Sequence, residues 1–134
     1  MNPEYSFIML ALAIWREARG EVYAVKQGVA WVIQNRVLNP GWWGHDLVGV
    51  ILMPFQFSSF NVGDPNATKF PAETDPSWAD SLDVASKVIA DALPDNTSGA
   101  TSYFDNSIAP PSWATDGSNV KTVSIGNLNF YRLA

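Results

Sequence analysis

The chain has 134 residues, the length of one domain, and its 47% hydrophobic and 16% charged residues support a packed core and argue against disorder. Eight Lys and Arg against thirteen Asp and Glu leave a net charge of −5 with no basic cluster, so no nucleic-acid partner is expected. Cysteine is absent and histidine occurs once, at His45, which excludes a disulfide scaffold and a cysteine nucleophile and leaves too few ligands for a protein zinc site. No cofactor is expected. Calcium held by Asp and backbone oxygens of the 61–75 segment is the one metal site left open.

In chain order, Asn2-Pro3-Glu4 reads as a helix start, with Asn as N-cap, Pro at the first helical position and an acid in the first turn. The apolar run from Phe7 to Trp15 follows. Its nine residues lack a basic flank and fall far short of the roughly 20 needed to span a bilayer. The run is therefore expected to be a core helix rather than a leader or anchor, reaching about Arg19 before Gly20 stops it. A second helix from about Ala24 to Leu38 is apolar on more than one side (Val25, Val29, Val32, Ile33), which makes it central, and Gly28 inside it signals close packing. Asp46 can cap a short helix from Leu47 to Met53 that Pro54 ends. From there to Glu73 the chain has no clear period, and long ordered loops often carry function. Asp75-Pro76 opens an amphipathic helix with Trp78, Leu82, Ala85, Ile89 and Leu93 on one face. After Pro94 the pattern changes to strands. Val120–Ile125 and Leu128–Arg132 form a hairpin turning at Gly126-Asn127, with Thr101 to Phe104 as a candidate third strand. The expected fold class is α+β, mainly helical with a small antiparallel C-terminal sheet, in a single domain over residues 1–134.

Glu17 lies one heptad after Leu10 and three residues after Ile14, so at about 100° per residue it extends the apolar stripe of the first helix. Desolvation there raises a carboxyl's pKa and keeps it protonated, as a general acid for glycosidic cleavage must be. The alternative is a structural carboxylate paired with Arg16, Arg19 or Arg36. Glu21, just past Gly20, can reach the same cleft or favour the start of the second helix. Arg36 follows Val29 and Val32 on an apolar face and is expected to pair with Glu17 or Glu21. Gln56-Phe57-Ser58 offers the amide, ring and hydroxyl that N-acetyl groups and pyranose faces bind. Trp42, Trp43, Phe55, Phe60, Tyr103 and Trp113 enlarge the aromatic supply. His45 lies in Gly-Trp-Trp-Gly-His-Asp, and no G-x-S-x-G nucleophile elbow accompanies it, so it reads as a surface residue.

Together these segments resemble the SleB/CwlJ-type cell wall hydrolases. Glu17-Ala18-Arg19-Gly20-Glu21 is similar to the family's E-A-R-G-E signature, and residues 29–37 to its V-A-x-V-I-x-N-R-V helix. Gln56-Phe57-Ser58 is similar to its Q-F-S element. Gly99-Ala100, Tyr103-Phe104, Trp113, Ile125-Gly126 and Phe130-Tyr131 are similar to its C-terminal blocks. Leu128 and Asp105 depart from the pattern, standing where members often carry His. The resemblance implies a lysozyme-like fold and cleavage of the bond between N-acetylmuramic acid and N-acetylglucosamine in peptidoglycan. It implies a lytic transglycosylase, with Glu17 as the catalytic acid and then base, and with Glu21, Gln56, Phe57, Ser58 and Tyr103 binding substrate. The substrate's N-acetyl group or C6 hydroxyl then replaces a second carboxylate. A hydrolysing muramidase and a catalytically silent glycan-binding or virion protein are the alternatives. Spore germination members normally carry a leader or further domains, so a bacteriophage endolysin is expected here. Such a protein is a monomer without stable membrane association, made in the bacterial cytoplasm and released to the wall through holes formed by another protein. Net negative charge gives no attraction to an anionic wall, so binding must rest on sugar contacts.

Overall fold

A computed structural model describes residues 3–54 and 56–134. Five helices, α1 (Pro3–Ala18), α2 (Tyr23–Leu38), α3 (Leu47–Leu52), α4 (Pro76–Ile89) and α5 (Ser112–Thr115), accompany three strands, β1 (Ser102–Asp105), β2 (Val120–Ile125) and β3 (Leu128–Arg132). The strands form one antiparallel sheet in the order β1-β3-β2. This is the α+β arrangement expected from the sequence. No helix among the described residues is long and apolar enough to cross a membrane.

Pro3 and Glu4 open α1, and Glu21 N donates to Ala18 O at 3.0 Å to close its C-terminal turn. Asn2, the expected cap, lies outside the described residues. Residues Leu10 through Arg16 are buried without a break, because α1 is packed by α2, α3 and α4 on its different sides. Burial of α2 is nearly continuous as well, and its polar side chains tie down the chain that leads to the sheet. Trp31 Nε1 donates to Leu93 O at 3.0 Å, and Asn35 Nδ2 donates to Asp95 Oδ2 and Ala100 O at 3.0 Å each. Gly28 faces Phe130 of the central strand. A Cβ at that position would stand 2.7 Å from the Phe130 Cζ, so glycine sets how closely α2 approaches the sheet.

Asp46 caps α3 by accepting from Gly49 N at 2.7 Å, and Asp75 caps α4 by accepting from Ser77 N at 2.8 Å. The expected buried face of α4 is corrected by the structure. Ser81, Val84, Ala85 and Val88 are its buried residues, Trp78 and Leu82 are partly buried, and Ile89 is 44% exposed. Spacing at i, i+3, i+4 and i+7 is kept, but a serine occupies one core position because its hydroxyl bonds Ser77 O at 2.7 Å within the helix. Leu93 lies past the helix end and still packs on the core. The 54–73 segment contains two single turns of 3-10 helix, Ser58–Phe60 and Pro65–Thr68. The hairpin turns at Gly126-Asn127 as expected. Gly126 has φ +55°, and a Cβ there would meet Val25 Cγ2 at 2.8 Å, which excludes larger residues twice over. The third strand begins at Ser102, one residue later than expected. Leu128, at a position where His is frequent in the resembling family, is buried in the core beside Phe130.

Candidate active site

The C-terminal turn of α1, the loop after α3, and β1 with the segment beyond it enclose an open cleft of about 440 Å³. Glu17, Arg36, Gln56, Phe57, Ser58, Tyr103, Asp105 and Trp113 are among its lining residues. The Glu17 Oε1 accepts a hydrogen bond of 2.7 Å from the Tyr103 hydroxyl. Burial pushes the Glu17 carboxyl above its ordinary pKa. The Tyr103 bond and the nearby Ser59 hydroxyl pull against that rise, and the negative charge of Asp64 adds to it. The Tyr103 hydroxyl is itself raised well above its usual value, first by burial and then by the Glu17 charge, so it stays protonated and remains a donor.

Among the described residues none of the three arginines forms an ion pair with Glu17, which removes the structural alternative for that carboxyl. Arg36 pairs with neither Glu17 nor Glu21, which corrects the expectation for it. Arg36 Nε donates to Thr101 O at 2.7 Å and Nη1 to Gln56 Oε1 at 3.3 Å, while its guanidinium lies 5.3 Å from the centroids of both Trp43 and Phe57. Two rings and two neutral oxygens enclose the cation, and no carboxylate reaches it. Burial lowers its pKa to about 10, against a small rise from Tyr103, so it is cationic at neutral pH. Arg16 instead holds the loop through three carbonyls, those of Lys69 (3.2 Å), Ser59 (3.3 Å) and Ala67 (3.1 Å), with Phe60 and Phe70 rings 4.7 and 4.9 Å from its guanidinium. Arg19 donates to Asn66 Oδ1 at 3.0 Å and stacks on Trp15 at 4.7 Å. The arginines flanking Glu17 thus fix the loop that walls the cleft. An Arg within the buried stretch of α1 was a visible signal of this, since a buried guanidinium must find several acceptors.

Of the residues expected to bind substrate, Gln56, Phe57, Ser58 and Tyr103 share the cleft with Glu17. Gln56 Oε1 accepts from Arg36 Nη1, so that cation fixes which way its amide is turned. Glu21 is not among the residues that line this cleft. The turn at Gly20 carries it to the α1–α2 corner, where its carbonyl accepts from Lys26 Nζ and its carboxyl faces Gly126 of the hairpin. Trp113 meets Phe104 edge-on at 6.0 Å and Tyr131 at 5.4 Å, making an aromatic wall. Trp43 stands behind Arg36, with Nε1 bonded to Arg36 O and Asn39 O, and Trp42 is 62% exposed away from the cleft. Phe60 belongs to the Arg16 clamp, and Phe55 lies outside the described residues. His45 is exposed on the α2–α3 connection. The two aspartates of the 61–75 segment make local bonds: Asp64 accepts from Asn66 N, and Asp75 accepts from Ser77 N and Trp15 Nε1. No group of three or more metal-ligating side chains gathers among the described residues.

Comparisons with known proteins agree with this architecture. The spore cortex-lytic enzyme of Halalkalibacterium halodurans is 33% identical over 117 residues, which are 86% of this chain and 32% of that protein. The chain thus spans about a third of that relative's length. The catalytic domain of the Bacillus cereus SleB protein matches with a TM-score of 0.71 at 28% identity, covering 97% of this chain and 91% of that one. The catalytic domain of the germination-specific lytic transglycosylase SleB from Bacillus anthracis matches with a TM-score of 0.74 at 27% identity, covering 97% and 98%. The fold is the lysozyme-like α+β fold of these domains. The profile described as Cell Wall Hydrolase matches residues 20–131 and so begins three residues past Glu17. Any role for Glu17 therefore stands on the geometry of the cleft. With most of its length inside that profile and its whole fold shared with two SleB catalytic domains, the chain belongs to the SleB/CwlJ-type cell wall hydrolase family.

Proposed function

We propose that this protein cleaves the bond between N-acetylmuramic acid and N-acetylglucosamine in peptidoglycan as a lytic transglycosylase, with Glu17 as the single acid and base. The observation that carries this reading is a desolvated carboxyl of raised pKa, bonded to Tyr103 and opening on a cleft lined by amide, hydroxyl and aromatic groups. Protonated Glu17 gives its proton to the glycosidic oxygen as the bond to the muramic C1 breaks. The carboxylate left behind keeps the Tyr103 bond. It then takes the proton of the muramic C6 hydroxyl as that oxygen attacks C1, closing a 1,6-anhydro ring and restoring the acid. Asp105, the other carboxylate of the cleft, accepts from Ser107 N at 2.8 Å in a local turn, which fits a mechanism that does not call on it as a nucleophile. The SleB relative's description as a lytic transglycosylase supports the same chemistry. On this reading the protein acts as a monomer on glycan strands, after release from the bacterial cytoplasm in the manner of a phage endolysin.

The test is Glu17→Gln, which preserves size and the Tyr103 bond but cannot donate the proton. Clearing of a wall suspension should fall by about 10²–10⁴-fold, and mass spectrometry of wild-type products should find 1,6-anhydro muropeptides. Wild-type clearing by the variant would refute Glu17 as the acid. Reducing muramic ends would instead mark a hydrolysing muramidase, and no clearing by the wild type would mark a glycan binder.

A further inference from the structure

Ser59 lies one residue past the Gln56-Phe57-Ser58 element, inside the Ser58–Phe60 turn. It is 2% exposed, and its hydroxyl has no hydrogen-bond partner among the described residues. A buried hydroxyl left unbonded is unfavourable, and alanine would fit the same turn without that cost. The hydroxyl is nevertheless near enough to Glu17 to lower its pKa, without closing a bond of normal geometry in the resting site. Its backbone is fixed from the acid's own helix. Arg16, the residue before Glu17, donates to Ser59 O at 3.3 Å and stacks on Phe60 at 4.7 Å. One turn of α1 therefore sets both the acid and the loop that faces it.

We infer that Ser59 is a positioning residue for Glu17, whose hydroxyl stays unpartnered while the carboxyl is protonated and donates to the carboxylate once the proton has left. The inference rests on the reading of Glu17 as the acid. A protonated carboxyl with one oxygen already bonded to Tyr103 has little use for a second donor. A carboxylate offers about four lone-pair sites, and charge-assisted bonds to it are about twice as strong as neutral ones. A rotation about the Ser59 side chain is then enough to close the bond. Tyr103 and Ser59 together keep burial and the Asp64 charge from making Glu17 too weak an acid to release its proton.

The experiment compares Ser59→Ala and Ser59→Thr with wild type in two titrations: the alkaline limb of the pH–rate profile on wall suspension, and the Glu17 carboxyl carbon by NMR. Ser59→Ala should move both upward by about 0.5 to 1 pH unit, with a melting temperature unchanged or higher because no resting bond is lost. Ser59→Thr, which keeps the hydroxyl, should restore both to near wild type. Titrations unmoved by Ser59→Ala, or moved equally by Ser59→Thr, would overturn the inference. Should Ser59→Ala fail to fold, Ser59→Cys keeps a weaker donor in place and should move both titrations upward by a smaller step, and no movement would again overturn it. The carbon titration does not depend on turnover, so failure of Ser59 as a partner is distinguishable from failure of Glu17 as the acid, which Glu17→Gln reads separately.

Discussion

The raised pKa of Glu17 has a consequence for stability as well as chemistry. Burial makes the folded protein hold the Glu17 proton more tightly than the unfolded chain does. A group raised on folding contributes stability in full below its unfolded pKa, and that contribution is lost as pH rises through the folded value. At neutral pH the buried carboxyl therefore works against the fold. Glu17→Gln removes the titration while its Oε1 can still accept from Tyr103 Oη. The variant is expected to melt at a higher temperature than wild type at neutral pH, with the advantage fading as pH falls below the ordinary carboxylate range. Calorimetry across pH checks this, and a variant less stable than wild type at pH 7 would contradict it. At this scale helical spacing was enough to find the stripe position of Glu17, because one helix obeys one period. It could not say which acceptors the arginines meet. Arg16 and Arg36 bind carbonyl and amide oxygens brought in from 20 to 65 residues away, a tertiary fact that no local pattern encodes.

Among the elements, α2 approaches the central strand most tightly where Gly28 faces Phe130. Gly28→Ala would gain about 1 kcal/mol in helix propensity. The new methyl, however, would fall 2.7 Å from Phe130 Cζ and 3.4 Å from Thr97 Cγ2, both fully buried. Overpacking of this kind costs about 1–3 kcal/mol, so the net expectation is a lower urea midpoint, and a midpoint equal to or above wild type would show that Phe130 can move aside. The glycine was legible in the sequence as a site of close packing, but its partner was not, since α2 and β3 are about a hundred residues apart. Starts of α3 and α4 were legible because Asp46 and Asp75 cap locally. The buried face of α4 was not, because counting large apolar residues passes over Ser81, which satisfies its own hydroxyl on Ser77 and takes a core position. Four-residue α5 carried too short a pattern to be seen.

For the molecule as a whole, net charge decides what kind of attraction can bring it to a wall. With −5 overall, an anionic polymer is repelled at long range, and the charges inside the cleft do not reverse this. Burial favours neutral Glu17 there, Arg36 is enclosed by Trp43 and Phe57, and Asp105 adds a further acid to the lining. What remains for a glycan is short-range: the Trp113 and Phe104 rings, the Gln56 amide and the Ser58 hydroxyl. Such contacts lie inside the Debye length, which shrinks from roughly 30 Å at 0.01 M salt to roughly 10 Å at 0.1 M. Added salt screens the repulsion and leaves the contacts untouched. If the proposed substrate is correct, the fraction of the Glu17→Gln variant that pellets with purified walls should hold steady or rise as salt increases over about 0.01–0.1 M. Binding that weakens on adding salt would mean that cationic groups carry the association, and the sugar-contact account of wall recognition would then be wrong.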